Sequence, residues 1–155
     1  QSPEIFEGMT FSVNSISQTT GSFDSYGLNY SNGSLKIALA SDSNAKGYDN
    51  KRFASTFSLD TLDIDVGVLY QTTKKLSTGI SENGHVISVK KNVFEKGSIY
   101  YQTSSSDIKL ESGEQNSFGY THKISKVSKV FVHASNLESD TKNGDYVSVG
   151  YEYKF

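Results

Sequence analysis

The chain has 155 residues, a net charge of −2, 35% hydrophobic and 21% charged residues, and no cysteine or tryptophan. The absence of cysteine removes disulfide scaffolds, thiol catalysis and Cys-type metal sites, and the near-neutral charge leaves no electrostatic footprint for nucleic acid. No apolar run approaches the roughly 18 residues a membrane helix needs, whereas modest hydrophobicity suits a barrel in which every second residue meets lipid, and the length suggests one domain.

In order, the chain reads as short alternating segments separated by turn signals. Met9, Phe11 and Val13 share one side of a strand over residues 7–17, and Tyr26, Leu28 and Tyr30 are in phase over 24–31. Asn32-Gly33 supplies a tight turn, since both residues tolerate positive φ. Leu35, Ile37 and Leu39 mark the next strand, with Lys36 on its opposite face. The polar stretch 41–51 reads as a loop, leading to Phe53, Phe57 and Leu59. After a minimal turn at Asp60-Thr61, Ile64, Val66, Val68 and Tyr70 alternate against Asp63, Asp65 and Gly67. A polar loop over 71–84 precedes Ile87 and Val89, Glu95-Lys96-Gly97 turns the chain back, and Ile99, Tyr101 and Thr103 continue the apolar phase. A loop over 104–115 leads to Phe118, Tyr120 and Ile124. A short turn over 125–128 is followed by Val130, Val132 and Ala134, and a loop over 136–144 opens the last strand. There Val147, Val149, Tyr151, Tyr153 and Phe155 oppose Tyr146, Ser148, Gly150, Glu152 and Lys154, which makes ten strands in all.

The aromatic-rich last strand has little place in a soluble domain, whose termini usually fray into water. A membrane-crossing strand takes about ten residues, and its rings favour the interface. The connections alternate between short turns and longer polar loops, so one end of the sheet carries the turns and the other the loops. The fold class that follows is all-β: an antiparallel up-and-down transmembrane β-barrel with short periplasmic turns and longer extracellular loops. A soluble up-and-down barrel shares the alternation but turns its apolar phase inward. With lipid outside, the interface aromatics are Tyr26, Tyr30, Phe53, Phe57, Tyr70, Tyr101, Tyr151, Tyr153 and Phe155. The lumen side carries Lys36, Arg52, Asp63, Asp65, Lys90, Lys123, Lys129 and Glu152, with Lys154 beside them. These charges read either as a pore wall that biases permeation or as paired ions filling a small interior.

Several stretches carry a family resemblance. Ser2-Pro3-Glu4-Ile5-Phe6-Glu7-Gly8 resembles the turn that enters a strand midway through general bacterial porins, and Tyr26 to Gly33 resembles a hairpin they use. Ser125-Lys126-Val127-Ser128-Lys129-Val130-Phe131 is similar to their penultimate turn and strand, although Val127 and Ser128 stand where Arg and Thr are frequent. Val149-Gly150-Tyr151-Glu152-Tyr153-Lys154-Phe155 looks like their terminal strand. The likeness covers essentially the whole chain but only the last ten of the family's sixteen strands. It implies passive diffusion of small hydrophilic solutes and ions across the bacterial outer membrane, contact with lipid and lipopolysaccharide, a homotrimer and no cofactor. Gln1 opens no signal peptide, so an exported chain of this kind is expected to be processed or truncated. Ten strands closing alone leave a narrow lumen, because interior width grows with strand number.

Two other classes stand beside the channel. A ten-stranded outer-membrane enzyme, resembling the omptin proteases, requires a rim histidine paired with an aspartate, drawn here from His85, His133, Asp140 and Asp145. A non-conducting structural or adhesive barrel requires a plugged interior. The histidines His85, His122 and His133 lack metal-ligand spacing and read most simply as exposed or lumen-lining polar residues, so no catalytic residue is assigned. The loop acids Asp42, Asp49, Glu82, Asp107, Glu111, Glu114, Glu138, Asp140 and Asp145 read as a solvated rim and define no metal site.

Overall fold

The structure is a computed structural model and describes residues 4–18, 21–107 and 113–154. It is a single antiparallel sheet. A three-residue strand β1 (Glu4–Phe6) is followed by ten long ones: β2 (Met9–Gln18), β3 (Gly21–Asn32), β4 (Leu35–Ala45), β5 (Tyr48–Leu59), β6 (Ile64–Lys75), β7 (Ser81–Val93), β8 (Gly97–Ser106), β9 (Gly113–Lys123), β10 (Ser128–Ser139) and β11 (Gly144–Tyr153). Spatial order equals chain order, each strand pairing with its sequence neighbours. One 3₁₀ turn, Asp60–Leu62, is the sole helical element among the described residues, and none of their helices is long and apolar enough to cross a membrane.

The strands outrun their apolar cores. Stretch 41–51, expected as a loop, is strand on both sides of a two-residue turn at Lys46–Gly47, where φ values of 52° and 86° give the left-handed pair that tight hairpins require. Loop boundaries at 71–84, 104–115 and 136–144 contract in the same way: β6 runs through Lys75, β8 through Ser106 and β10 through Ser139. Polar side chains mark where an apolar band ends, but the backbone ladder needs only N–H and C=O partners and continues past it. The expected contrast between ends is largely lost: among the fully described connections, those at the turn end (33–34, 60–63, 94–96 and 124–127) run two to four residues and those at the loop end (46–47, 76–80 and 140–143) two to five, because the strands extend into the polar stretches.

Register joins the apolar phases into one face. Phe11, Leu28, Leu39, Phe53, Tyr70 and His85 face one another in successive ladders, as do Val66, Val89, Tyr101, Phe118, Ala134 and Val147. This face remains exposed: among the described residues no hydrophobic residue is buried, and large apolar side chains from Phe11 to Tyr153 lie open. The buried residues are polar or glycine, with Thr73, Ser117 and Ser135 on the opposite face. Along β10 the alternation holds from Lys129 onward: Val130, Val132, Ala134, Asn136 and Glu138 are exposed, whereas Lys129, Phe131, His133, Ser135 and Leu137 are covered to some degree; Ser128, in phase with the exposed set, is buried at the turn. A soluble barrel would show the reverse. The polar face is the more crowded side of the sheet, and the apolar face is the more open one. On β11, last in the order, Val147 and Val149 are 76% and 79% exposed against 42% for Val132 on β10, because same-face neighbours flank them on one side only.

Candidate permeation face

The polar face is built from small residues and satisfied hydrogen bonds. Glycine permits its closest packing: a Cβ on Gly119 would lie 2.3 Å from the Tyr100 ring. Tyr100 on β8 therefore lies flat across β9, and its hydroxyl meets His133 Nδ1 on β10 at 2.6 Å. His133 Nε2 contacts Ser135 Oγ at 2.5 Å, and Ser117 Oγ donates to Ser135 Oγ at 3.2 Å. The arrangement repeats two strands along, where Phe131 on β10 covers Gly150 on β11.

Toward the loop end, Arg52 Nε donates to Gln71 Oε1 at 2.8 Å, Gln71 Nε2 to Thr73 Oγ1 at 3.0 Å, and Thr73 Oγ1 to Asn50 Oδ1 at 2.8 Å. Toward the turn end, Asp65 accepts from Ser58 Oγ at 2.7 Å and pairs with Lys90 at 3.2 Å, while Lys129 pairs with Glu152 at 2.9 Å. Among the described residues Lys36, Arg52 and Lys123 form no ion pair, and neither do Asp42 and Glu82, which register places on the same face, so this wall carries unpaired charge of both signs.

Lys36, Arg52, Asp65, Lys90, Lys123, Lys129 and Glu152 all fall on the polar face by register. Asp63 lies in the turn ahead of β6, in left-handed conformation with φ 53°, rather than within a strand. The aromatics Tyr26, Tyr30, Phe53, Phe57, Tyr70, Tyr101, Tyr151 and Tyr153 share the apolar face, and Phe155 lies outside the described residues. Not foreseen from sequence is how the upper tyrosines are capped: Tyr70 donates to Asn83 Oδ1 at 3.0 Å and Tyr101 to Asn116 Oδ1 at 2.9 Å. Each ring thus stays in the apolar band while its hydroxyl reaches the polar rim. The asparagine falling in phase just beyond the band was the signal available in the sequence.

His85 and His133 point to opposite faces, and the partners of His133 are Tyr100 and Ser135 rather than an aspartate. His122 shares the apolar face and meets Tyr120 OH at 3.1 Å. Among the described residues no group of three or more histidines and carboxylates is placed to hold a metal ion.

No family model matches the sequence, and a search of curated proteins finds no match. In fold, the chain is similar to an anion-selective porin from Comamonas acidovorans, with a TM-score of 0.77 at 19% sequence identity. The likeness covers 97% of this chain and 57% of that porin, so the chain spans little more than half its length. The fold is therefore that of a stretch of porin β-barrel wall.

Proposed function

We propose that this chain is a porin-like channel of the bacterial outer membrane, through which small hydrophilic solutes and ions diffuse passively. The observation that carries the reading is the inverted burial: a continuous apolar face stays outside across ten strands while serine, threonine, glycine and charged residues fill the inner face. Lipid is the solvent that makes such an exterior stable, and water the one that suits the interior.

In this reading Lys36, Arg52, Asp65, Lys90, Lys123, Lys129 and Glu152 line the pore, and Asp63 stands at its turn-end mouth. Tyr26, Phe53, Tyr70 and Tyr101 lie at one membrane interface, with Tyr30, Phe57, Tyr151 and Tyr153 at or toward the other, and lipopolysaccharide meets the loop-end rim. In the same reading the chain acts as one domain supplying part of a larger ring, which its match to 57% of the porin supports. A homotrimer of such rings follows from the resemblance and is tested by cross-linking in native membranes. Anion preference is supported by the excess of unpaired cations, Lys36, Arg52 and Lys123, over the unpaired carboxylates Asp42 and Glu82 among the described residues of the wall, and agrees with the selectivity named for the structural neighbour.

Reconstitution of the full-length protein into planar bilayers tests the channel. Stepwise conductance with a reversal potential favouring anions is expected. A silent bilayer, with correct insertion demonstrated, overturns the reading in favour of a non-conducting barrel.

A further inference from the structure

At the turn end of β9, β10 and β11, five lysines converge on a concavity of about 590 Å³: Lys96, Lys123, Lys126, Lys129 and Lys154, with Glu152 the one carboxylate in its lining among the described residues. They arrive from separate pieces of chain, tied together by backbone bonds. Lys123 N donates to Lys96 O at 2.8 Å, bringing the β7–β8 turn against the end of β9. Lys154 N donates to Val127 O at 2.8 Å, fastening the chain after β11 to the β9–β10 turn. That turn is itself held by Ser125 Oγ and Ser128 Oγ at 2.7 Å and by the bond from Val127 N to Ser125 Oγ at 3.2 Å.

The charge pattern is unfavourable without an occupant. Lys123 and Lys129 are direct cross-strand partners, and like charges placed so are destabilising. Glu152 offsets one of them, pairing with Lys129 at 2.9 Å, and among the described residues Lys123, Lys126, Lys96 and Lys154 form no ion pair of their own. Elsewhere on this face Lys90 opposes Asp65, which shows how the same sheet neutralises a lysine. Ammonium groups on long flexible stems suit an anion as point charges and adapt to its shape. The concavity has room for more than a monatomic ion, and several lysines around it match several negative charges on one molecule.

We infer that the turn-end mouth is a binding site for small multiply charged organic anions of the polycarboxylate class, formed by Lys96, Lys123, Lys126, Lys129 and Lys154. The site concentrates such anions where the polar face meets solvent. This deepens the channel reading and rests on it for the passage of the anion, but not for its binding.

The test is titration calorimetry of the folded full-length protein in detergent micelles, with citrate as the probe and acetate as its monovalent control. Saturable citrate binding that weakens steeply with added salt is expected, with much weaker acetate binding. Removing two ammonium groups in the double variant Lys123→Gln, Lys126→Gln should weaken citrate binding about tenfold. The matched loop-end pair Lys46→Gln, Lys74→Gln should leave it unchanged, and the Lys123→Arg, Lys126→Arg variant should retain most of it. Absence of saturable binding, or equal weakening by both glutamine pairs, overturns the inference. Conductance measured on the same preparations separates the two readings, since a conducting protein that ignores citrate leaves the channel standing without this site.

Discussion

Adjacent residues Val68 and Leu69 of β6 provide the sharpest test of which face meets lipid. They are almost equally open, at 38% and 37%, and both are aliphatic, so exposure alone gives them the same tolerance for charge. Register separates them. Val68 lies among Ser55 and Ile87 on the apolar face, between Val66 and Tyr70, in the middle of the band; Leu69 lies between Ala54 and Val86 on the polar face. An arginine at position 68 must enter hydrocarbon, which costs about 2–4 kcal/mol near the bilayer midplane. An arginine at position 69 enters water beside two small neighbours, at a cost of about 0.5 kcal/mol in either direction. With a urea slope of about 2 kcal/mol per molar, Val68→Arg should lower the unfolding midpoint by about 1–2 M in phospholipid vesicles, and Leu69→Arg should barely move it. Circular dichroism follows the transition without tryptophan, which the chain lacks. Equal shifts, or a larger one for Leu69→Arg, would refute the assignment of the faces and the channel with it.

The remaining predictions concern the wall itself. Replacing Lys36 by Glu, which alters a cation with no ion-pair partner among the described residues, should move the reversal potential under a salt gradient toward cation preference, whereas Lys36→Gln should produce about half that shift. Gly119→Val should drive the Tyr100 ring off β9, break its 2.6 Å contact with His133 and cost about 1–3 kcal/mol by overpacking. Adding Tyr100→Ala to that variant should return much of the loss in the same urea titration. Gly47→Val, at φ 86°, should cost about 1–2 kcal/mol while leaving conductance intact, because the turn joins β4 and β5 away from the pore wall.

Much of the fold was legible because a period of two is an unambiguous signal wherever one face is uniformly apolar. Val66, Val68 and Tyr70 fix the phase of β6, and antiparallel pairing carries that phase through Phe57 and Phe53 to Leu35 and Leu39. Strand ends were not legible for the same reason. Once β4 passes Leu39, its apolar-face residues become Ser41 and Ser43, and the alternation that marks a strand vanishes although the ladder continues to Ala45. The charged wall was readable as a set of positions but not as a set of partners. Sequence places Lys90 and Asp65 on one face; only register shows that they oppose each other while Lys123 opposes Lys129. The Tyr100–His133 contact was invisible because it skips a strand, and the residue that permits it, Gly119, contributes no side chain to any pattern.

Where stability comes from follows from what the sheet lacks. A water-soluble domain of this size is held chiefly by apolar side chains withdrawn from solvent, yet no hydrophobic residue among the described ones is buried. Cross-strand pairs on the apolar face, such as Val66 with Val89 and Tyr101 with Phe118, supply a few tenths of a kcal/mol to about 1 kcal/mol each, too little to offset the ordering of ten strands. In the channel reading the missing term comes from the medium. In hydrocarbon each unpaired backbone group costs several kcal/mol, so a membrane would drive the ladders to completion. The apolar face from Phe11 to Tyr153 would then do the work of a core, with acyl chains as the other half of the packing. The polar face, released from that duty, would be free to carry Lys36, Arg52 and Lys123 into water.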